Sequence, residues 1–431
     1  MAISAEVQWE CQSGGDDNNG GGFKEGASGT DYSQQTTAQA TLTTASLVNA
    51  TTTKIDVDSG DYTCTDNDVG NVIQIYGGTA TAGFYEITAR SAQQWTLDRP
   101  VGTAGQTVVA KMGGCFGSPG GMSATFGNGA FPYNKFWIKS ATYTLTNSTG
   151  ATSGGPWNNN FISTIQVEGY ETTRGDRGTP PTLAAGTQTN CILWHQDYAN
   201  QCTFINLKAD GQSQTGVNGF DHDYGGGRCI LCEAVNCDAA TTNYGFQTGN
   251  IYRCRATNCG IGFDAGKYAG CIAKSCNLGF SKIGDGMIAN CLAFDCVNGI
   301  TATSVGIISN CTVDNCTGYG IRGAVYTFIS GCIISNCVKG YESGSHSEDL
   351  QQVAFYNNTS DGDTGEIPFD TIALTADPYN DSANDDYRLN ETAGGGADCV
   401  VPLGVNGSNT TIGALPQVTT PPATRHPLGR F

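Results

Sequence analysis

Five cysteine pairs of the form C-x4-C recur along this chain: Cys254/Cys259, Cys271/Cys276, Cys291/Cys296, Cys311/Cys316 and Cys332/Cys337, their first members 17, 20, 20 and 21 residues apart. Cys232/Cys237 is a sixth pair with the same inner spacing. A few positions after each second cysteine comes a glycine followed by an apolar residue: Gly245-Phe246, Gly262-Phe263, Gly279-Phe280, Gly299-Ile300, Gly320-Ile321 and Gly340-Tyr341. A polar turn, a short apolar piece such as Gly306-Ile307-Ile308, and then Asn-Cys or its equivalent complete the period. Self-similarity at a fixed interval is the mark of a repeat architecture, in which each unit buries its apolar face against the next.

An interval near 20 residues suits either a leucine-rich repeat or one coil of a parallel β-helix. The leucine pattern is absent and no segment shows helical periodicity, so the β-helix is expected. Each coil would contribute short strands with alternate side chains pointing inward, and like residues on successive coils would stack about 4.8 Å apart. Stacking gives the cysteines a role as small buried hydrophobes in a narrow interior. Cys232, Cys237, Cys254, Cys259, Cys271, Cys276, Cys291, Cys296, Cys311, Cys316, Cys332 and Cys337 are therefore read as a ladder of reduced structural thiols. Disulfides and metal binding are the alternatives; six pairs in register do not look like a single zinc site. Cys11, Cys64, Cys115 and Cys399 lie outside the ladder, and neither a metal nor a cofactor is expected.

The expected fold class is all-β: a right-handed parallel β-helix solenoid with a small inserted antiparallel module near the N-terminus and a mostly irregular C-terminal segment. Composition agrees, since 60 of 431 residues are glycine, about twice the usual share, which without a collagen period means many tight turns. Residues 1–39, with the run Gly14 to Gly22, are expected to lead into and cap the first coil. Residues 40–114 alternate as strands, as in Asn71-Val72-Ile73-Gln74-Ile75-Tyr76, and form the antiparallel module. The β-helix is expected over 115–350 with regular cysteine coils at 229–344, followed by a capping region at 351–417 and an extended Pro-containing tail at 418–431.

A formal net charge of −18 removes the electrostatic attraction on which nucleic-acid or anionic-membrane binding depends. Proteins and carbohydrates remain as partners. The N-terminus shows no basic start followed by an apolar run, and no stretch approaches a membrane span, so a soluble chain made in the cytoplasm is expected. The strongest polar cluster is Gly219-Phe220-Asp221-His222-Asp223-Tyr224, with His195 and Asp197 on the preceding coil. Asp221 and Asp223 would share one face of an extended segment, as paired carboxylates for glycan cleavage must. An ordinary solvated turn is the reading preferred for them. The acidic loops Asp361-Gly362-Asp363 and Asp381 to Asp386 match no complete calcium pattern.

The repeats resemble the pectate-lyase-like superfamily of right-handed β-helices, and the whole chain is similar to β-helix structural proteins of tailed bacteriophages. The residues that carry this likeness are the Gly-rich opening Trp9 to Phe23 with Gly29-Thr30-Asp31-Tyr32-Ser33-Gln34-Gln35, the Glu168-Gly169-Tyr170 and Arg174-Gly175-Asp176 stretch, the Asn-Cys coils, and Asp386-Tyr387-Arg388-Leu389-Asn390 with Ile412-Gly413-Ala414-Leu415. The resemblance implies a virion-surface component synthesised in the host cytoplasm: a non-enzymatic capsid decoration, fibre or spike protein. Its partners would be other virion proteins and further copies of itself, a trimer first among the oligomers, with a host surface glycan as a further candidate. A tailspike that binds or cleaves glycans is the alternative, and a bacterial surface adhesin a third reading. Adjacent aspartates with Gly-His-Gly, as in galacturonase-type sites, are missing, and so is a lyase arrangement of calcium carboxylates with a catalytic Arg.

Overall fold

Each of the twelve ladder cysteines follows a residue in the left-handed backbone region. In a computed structural model of the chain, Asn236, Asn258, Asn290, Asn310, Asn315 and Asn336 have φ of 50 to 54°. Gly270 and Gly331 lie at 65 and 61°, and Leu231, Arg253, Ser275 and Asp295 at 52 to 57°. Asparagine and glycine tolerate this conformation best. The structure describes residues 3–4, 6–49, 53–126, 135–145, 165–196, 202–222, 226–238, 243–281, 286–302, 306–323, 327–343, 349–362, 371–402 and 409–411. The tail expected at 418–431 lies outside them.

These corners explain the C-x4-C spacing. Two left-handed residues bracket a three-residue strand, such as Leu292–Phe294 between Cys291 and Asp295, or Thr312–Asp314 between Cys311 and Asn315. The cysteine after each corner is buried, and its thiol reaches back across the corner to the carbonyl two residues earlier: Cys291 to Ala289 at 3.3 Å, Cys311 to Ser309 at 3.3 Å, Cys337 to Ser335 at 3.1 Å. A thiol thus fills the narrow interior and adds a second donor to a carbonyl that already accepts a backbone N–H from the preceding coil, Gly270 to Ala289 at 3.0 Å, Asn290 to Ser309 at 3.0 Å and Asn315 to Ser335 at 3.1 Å. All nineteen cysteines are buried free thiols.

The chain forms a parallel β-solenoid of about seven turns plus a small antiparallel module, divided into two compact units, Met1–Asn250 and Ile251–Phe431. In the second unit, three parallel sheets run through the coils. The first stacks Lys267–Ala269, Met287–Ala289, Gly306–Ser309, Thr327–Ser330 and Asp349–Gln351. The second stacks Ile272–Lys274, Leu292–Phe294, Thr312–Asp314, Ile333–Ser335 and Val353–Tyr356. The third stacks Ile261–Asp264, Leu278–Ser281, Asn298–Thr301, Tyr319–Arg322 and Lys339–Glu342. Phe263 and Phe280 stack in its register at 4.8 Å, followed by Ile300, Ile321 and Tyr341. The glycine before each is required by close approach: a Cβ on Gly279 would lie 2.5 Å from the Gly299 carbonyl oxygen, and one on Gly299 2.4 Å from that of Gly320.

The outer face of the second sheet in this unit is covered. A hairpin of Tyr379–Asp381 and Asp386–Leu389 lays Tyr379 and Tyr387 over Leu292, Phe294 and Ile333. The Tyr387 hydroxyl donates to Asp314 at 3.2 Å, the Tyr379 hydroxyl lies 3.0 Å from Ser335 Oγ, and Lys274 binds Asp385 at 2.6 Å.

In the first unit, Val7–Cys11, at the head of the chain, is itself a rung of a parallel sheet and pairs with Lys135–Lys139, which pairs with Ile165–Tyr170. Between Gly22–Lys24 and that second rung sits a closed six-stranded antiparallel barrel, ordered Ala40–Leu47, Lys54–Asp56, Gln94–Leu97, Gly83–Ser91, Val72–Gly78, Thr107–Met112. Its interior holds Leu42, Ile55, Ile73, Ile87, Trp95, Val108 and Met112, and Trp95 donates to the buried Asp68 at 2.9 Å. Closure removes the edges that an open sheet of this size would expose. Pro119–Phe126 is a short α-helix, in a chain whose sequence showed no helical period. Ser118 initiates it, its hydroxyl accepting the Gly121 N–H at 2.9 Å, and Pro119 supplies the preset φ of a first helical residue.

The corner rule is directly testable. Asn290 is exposed, with φ of 52°, so Asn290→Val should lower unfolding free energy by about 1–2 kcal/mol through backbone strain, while Asn290→Gly should change it by less than about 0.5 kcal/mol. Urea unfolding of the three proteins makes the comparison; equal stability of the Val and Gly variants would refute the rule.

Candidate functional site

The third sheet of the first unit holds the cluster on which the sequence placed its acid-base candidates. Ile192–Gln196 and Asn218–His222 pair in parallel, with Trp194 opposite Phe220, His195 opposite Asp221 and Gln196 opposite His222. Successive residues of a strand face opposite ways, so His195 and Asp221 share one face while Trp194, Phe220 and His222 share the other. The structure therefore brings His195 and Asp221 together and separates His222 from them. Asp197 and Asp223 lie outside the described residues.

Burial is the deciding fact about this cluster: His195, Asp221 and His222 are 5, 3 and 1% exposed. The expected solvated turn is instead a buried strand, and no pair formed by these three side chains opens to solvent. A signal for this was present in the sequence, since Gly219-Phe220 repeats the glycine-aromatic signature and places Asp221 in register with Gln247. Phe220 stacks between Trp194 at 6.3 Å and Phe246 at 4.8 Å. The His222 ring lies on Phe204 at 5.2 Å with Nε2 3.2 Å from the Cys229 sulfur. Burial, and secondarily the neighbouring His195, push its pKa down to about 3. His222 is thus a neutral interior side chain.

A second polar constellation was not read as a cluster in the sequence. Glu10 and Glu168 both lie opposite Trp137, one on each neighbouring rung, and both are buried. The loop after Tyr170 supplies an arginine to each: Arg174 Nε binds Glu10 at 2.8 Å and Arg177 Nε binds Glu168 at 2.9 Å. Arg174 also reaches Asp31 and the Ser33 hydroxyl, both at 2.9 Å. The Tyr170 hydroxyl donates to Glu10, as does Gln12 at 3.3 Å. Burial drives the Glu10 pKa up to about 7, against the opposing pull of Arg174 and its hydrogen-bond donors. Carboxyl and tyrosine are residue types of proton-transfer chemistry, yet Glu10 is 0% and Tyr170 1% exposed. The network clips the first rung to the loop at Glu171 to Pro180 and offers no acid or base to a substrate. Glu10, Asp31, Ser33, Glu168, Tyr170 and Arg174 all lie in stretches that carry the sequence resemblance, but nothing in the sequence joined them as one network, since Arg174 meets its partners across 141 to 164 residues.

Among the described residues no group of three or more His, Cys, Asp or Glu side chains is arranged to hold a metal. No protein-family model and no curated protein matches the chain. Among solved structures, the chain is similar to the A-module of the mannuronan C-5 epimerase AlgE4 from Azotobacter vinelandii, at 11% identity and a TM-score of 0.31, over 59% of this chain and 76% of that one. It is also similar to the tailspike protein gp49 from Pseudomonas phage LKA1, at 13% identity and a TM-score of 0.18, over 75% of this chain and 67% of that one. Likeness at this level says nothing about the chemistry of this chain.

Two pH dependences follow, of opposite sign. For His222, the unfolded chain binds a proton below the ordinary value of 6.5 that the folded chain refuses until about 3, so stability is lost as pH falls through that window. His222→Phe, which keeps the stack on Phe204, should remove up to about 2 kcal/mol of the loss between pH 7.5 and 5. For Glu10, the folded chain holds its proton up to about 7 against 4.5 when unfolded, so this group lowers stability as pH rises between those values. Glu10→Gln should therefore flatten the decline between pH 5 and 8, by up to about 3 kcal/mol. Thermal melts of each variant against the parent across pH read both effects, and a parallel pair of curves would refute either assignment.

Proposed function

We propose that this chain is a structural protein of a tailed-phage virion, exposed on the particle surface, with the solenoid serving as a stiff projecting module of a decoration protein, fibre or spike. The observation that supports a scaffold over an enzyme is the fate of the polar clusters. His195, Asp221, His222, Glu10 and Glu168 are all buried in strands, and the two glutamates are neutralised by arginines of the same unit. A glycan-cleaving groove needs two carboxyl groups that reach a substrate from solvent, set about 5 to 9.5 Å apart.

The phage assignment rests on the sequence resemblance through the Gly-rich opening, the Arg174-Gly175-Asp176 stretch and the Asn-Cys coils. The acidic surface suits a particle exterior, where like charge limits non-specific association with nucleic acid and anionic membranes. Other virion proteins would be its partners.

Cryo-electron microscopy of the native particle, with purified chain incubated in parallel with host capsular and lipopolysaccharide glycans, tests the reading. Solenoid density on the virion surface and undegraded glycan are expected. Depolymerisation of either glycan, or absence of the chain from the particle, would overturn it.

A further inference from the structure

Between Tyr170 and Pro181 the chain forms a strap over the outer face of the parallel sheet built from Val7–Cys11, Lys135–Lys139 and Ile165–Tyr170. The strap is stiff in itself. The Asp176 carboxylate accepts the backbone N–H groups of Glu171, Thr172, Thr173 and Gly178 at 2.7 to 3.2 Å, and the Glu171 carboxylate accepts that of Thr179 at 3.1 Å. Its sequence over 171–179, Glu-Thr-Thr-Arg-Gly-Asp-Arg-Gly-Thr, offers no hydrophobic side chain to anchor it. Among the described residues its ties to the rest of the unit are polar: Arg174 to Glu10, Asp31 and Ser33, Arg177 to Glu168, and the Asn206 side-chain amide, which donates to the Gly178 carbonyl at 3.2 Å. A segment held in this way follows the charge state of the groups beneath it.

Glu10 lies under the strap in one outward column with Trp137 and Glu168, while its neighbours Trp9 and Cys11 point to the interior. The groups that face it are Arg174 from the strap, Tyr170 from the adjoining rung and Gln12 from its own strand, with Asp31 held through Arg174 and Glu168 with Arg177 beyond Trp137. Cys11, Cys115 and Tyr143 also feel its charge. Burial, before any other cause, keeps these thiols and both phenols protonated through neutral pH, and arginine stays charged throughout. Among the carboxyls Glu10 is served least well. At 0% exposed it shares Arg174 with Asp31, whereas Glu168 takes Arg177 and the Gln166 amide at 2.9 and 2.5 Å.

We propose that this strap is a pH-sensitive latch, closed over Glu10 while that carboxyl carries its proton and lifting as a rigid piece when the carboxyl ionises. Closed, Glu10 keeps its proton up to about 7, burial outweighing Arg174 and the hydrogen-bond donors around it. With the strap lifted, water reaches the carboxyl and its ordinary value of 4.5 returns, because desolvation is what raised it. The open position therefore binds fewer protons, and rising pH favours it. Between pH 6 and 8 these two values raise the opening constant about tenfold. Lifting also uncovers Trp137, which is 8% exposed in the closed position. The latch is independent of the virion reading and can fail without it.

Limited trypsin digestion of the full chain reads the latch, since the Arg174 and Arg177 side chains are 15 and 33% exposed when it is closed. Cleavage after these two arginines, located by mass spectrometry, is compared between the parent and Glu10→Gln at the same pH, so that the protease's own pH dependence cancels. The ratio of parent to variant rates should rise about tenfold from pH 6 to 8. Glu168→Gln, which loses one tie, should be cut faster than the parent at both pH values and keep the parent's pH dependence. Acrylamide quenching of Trp137, taken as the difference between the parent and Trp137→Phe, should increase over the same range with a midpoint near 7 and needs no change at Glu10. A ratio that does not move with pH, a strap that opens as pH falls, cuts after Lys54 and Arg90 of the barrel that rise in step with those in the strap, or quenching of Trp137 indifferent to pH would each overturn the latch.

Discussion

Everything in the solenoid depends on turning the chain at a fixed place without losing an inward-pointing side chain. The left-handed corner does this. One residue with positive φ redirects the backbone, and the cysteine that follows points inside and donates a thiol hydrogen bond to the carbonyl just before the corner. Because two corners flank a strand of three residues, the length of the second sheet is set by the turn geometry and its register is copied from coil to coil. Asparagine supplies six of the twelve corners, the residue after glycine that adopts this conformation at least cost. A leucine interior would demand wider coils, and polar interior residues would demand partners the narrow core lacks.

The repeat made the fold legible because every one of its constraints is local. Asn-Cys, the three-residue strand and Gly-aromatic each lie within one coil, so a linear reading sees them. What the sequence did not disclose was set by contacts between distant segments. Glu10 and Arg174 are 164 residues apart and carry no common motif. The closing of the barrel depends on Ala40–Leu47 meeting both Lys54–Asp56 and Thr107–Met112, a pairing that alternation alone does not choose. Tyr379 and Tyr387 sit in an acidic, turn-like stretch, and only the apolar outer face of Leu292, Phe294 and Ile333 gives them somewhere to pack.

The candidate site shows the same division. Asp221 and His222 looked like a polar turn because two titratable residues side by side usually are one. Their place in the coil, immediately after Gly219-Phe220, outweighs their polarity: the strand is formed by the repeat, which carries His222 inward beside Phe220, while Asp221 is buried on the opposite face. Buried histidine then becomes neutral rather than catalytic. In the arginine-clamped network burial is equally complete, and ionic groups hold segments in one arrangement, a role in which specificity of packing counts for more than net stability.

The barrel interrupts the solenoid within its first turn: Val7–Cys11 is the opening rung, and its parallel neighbour is Lys135–Lys139. During synthesis the opening rung leaves the ribosome long before its neighbour exists, at a pace of about 5 to 20 residues per second. The barrel, whose strands are contiguous in the chain, can complete itself in that interval. Nascent chains therefore hold Val7–Cys11 against Gly22–Lys24 alone, without its parallel neighbour, for some seconds.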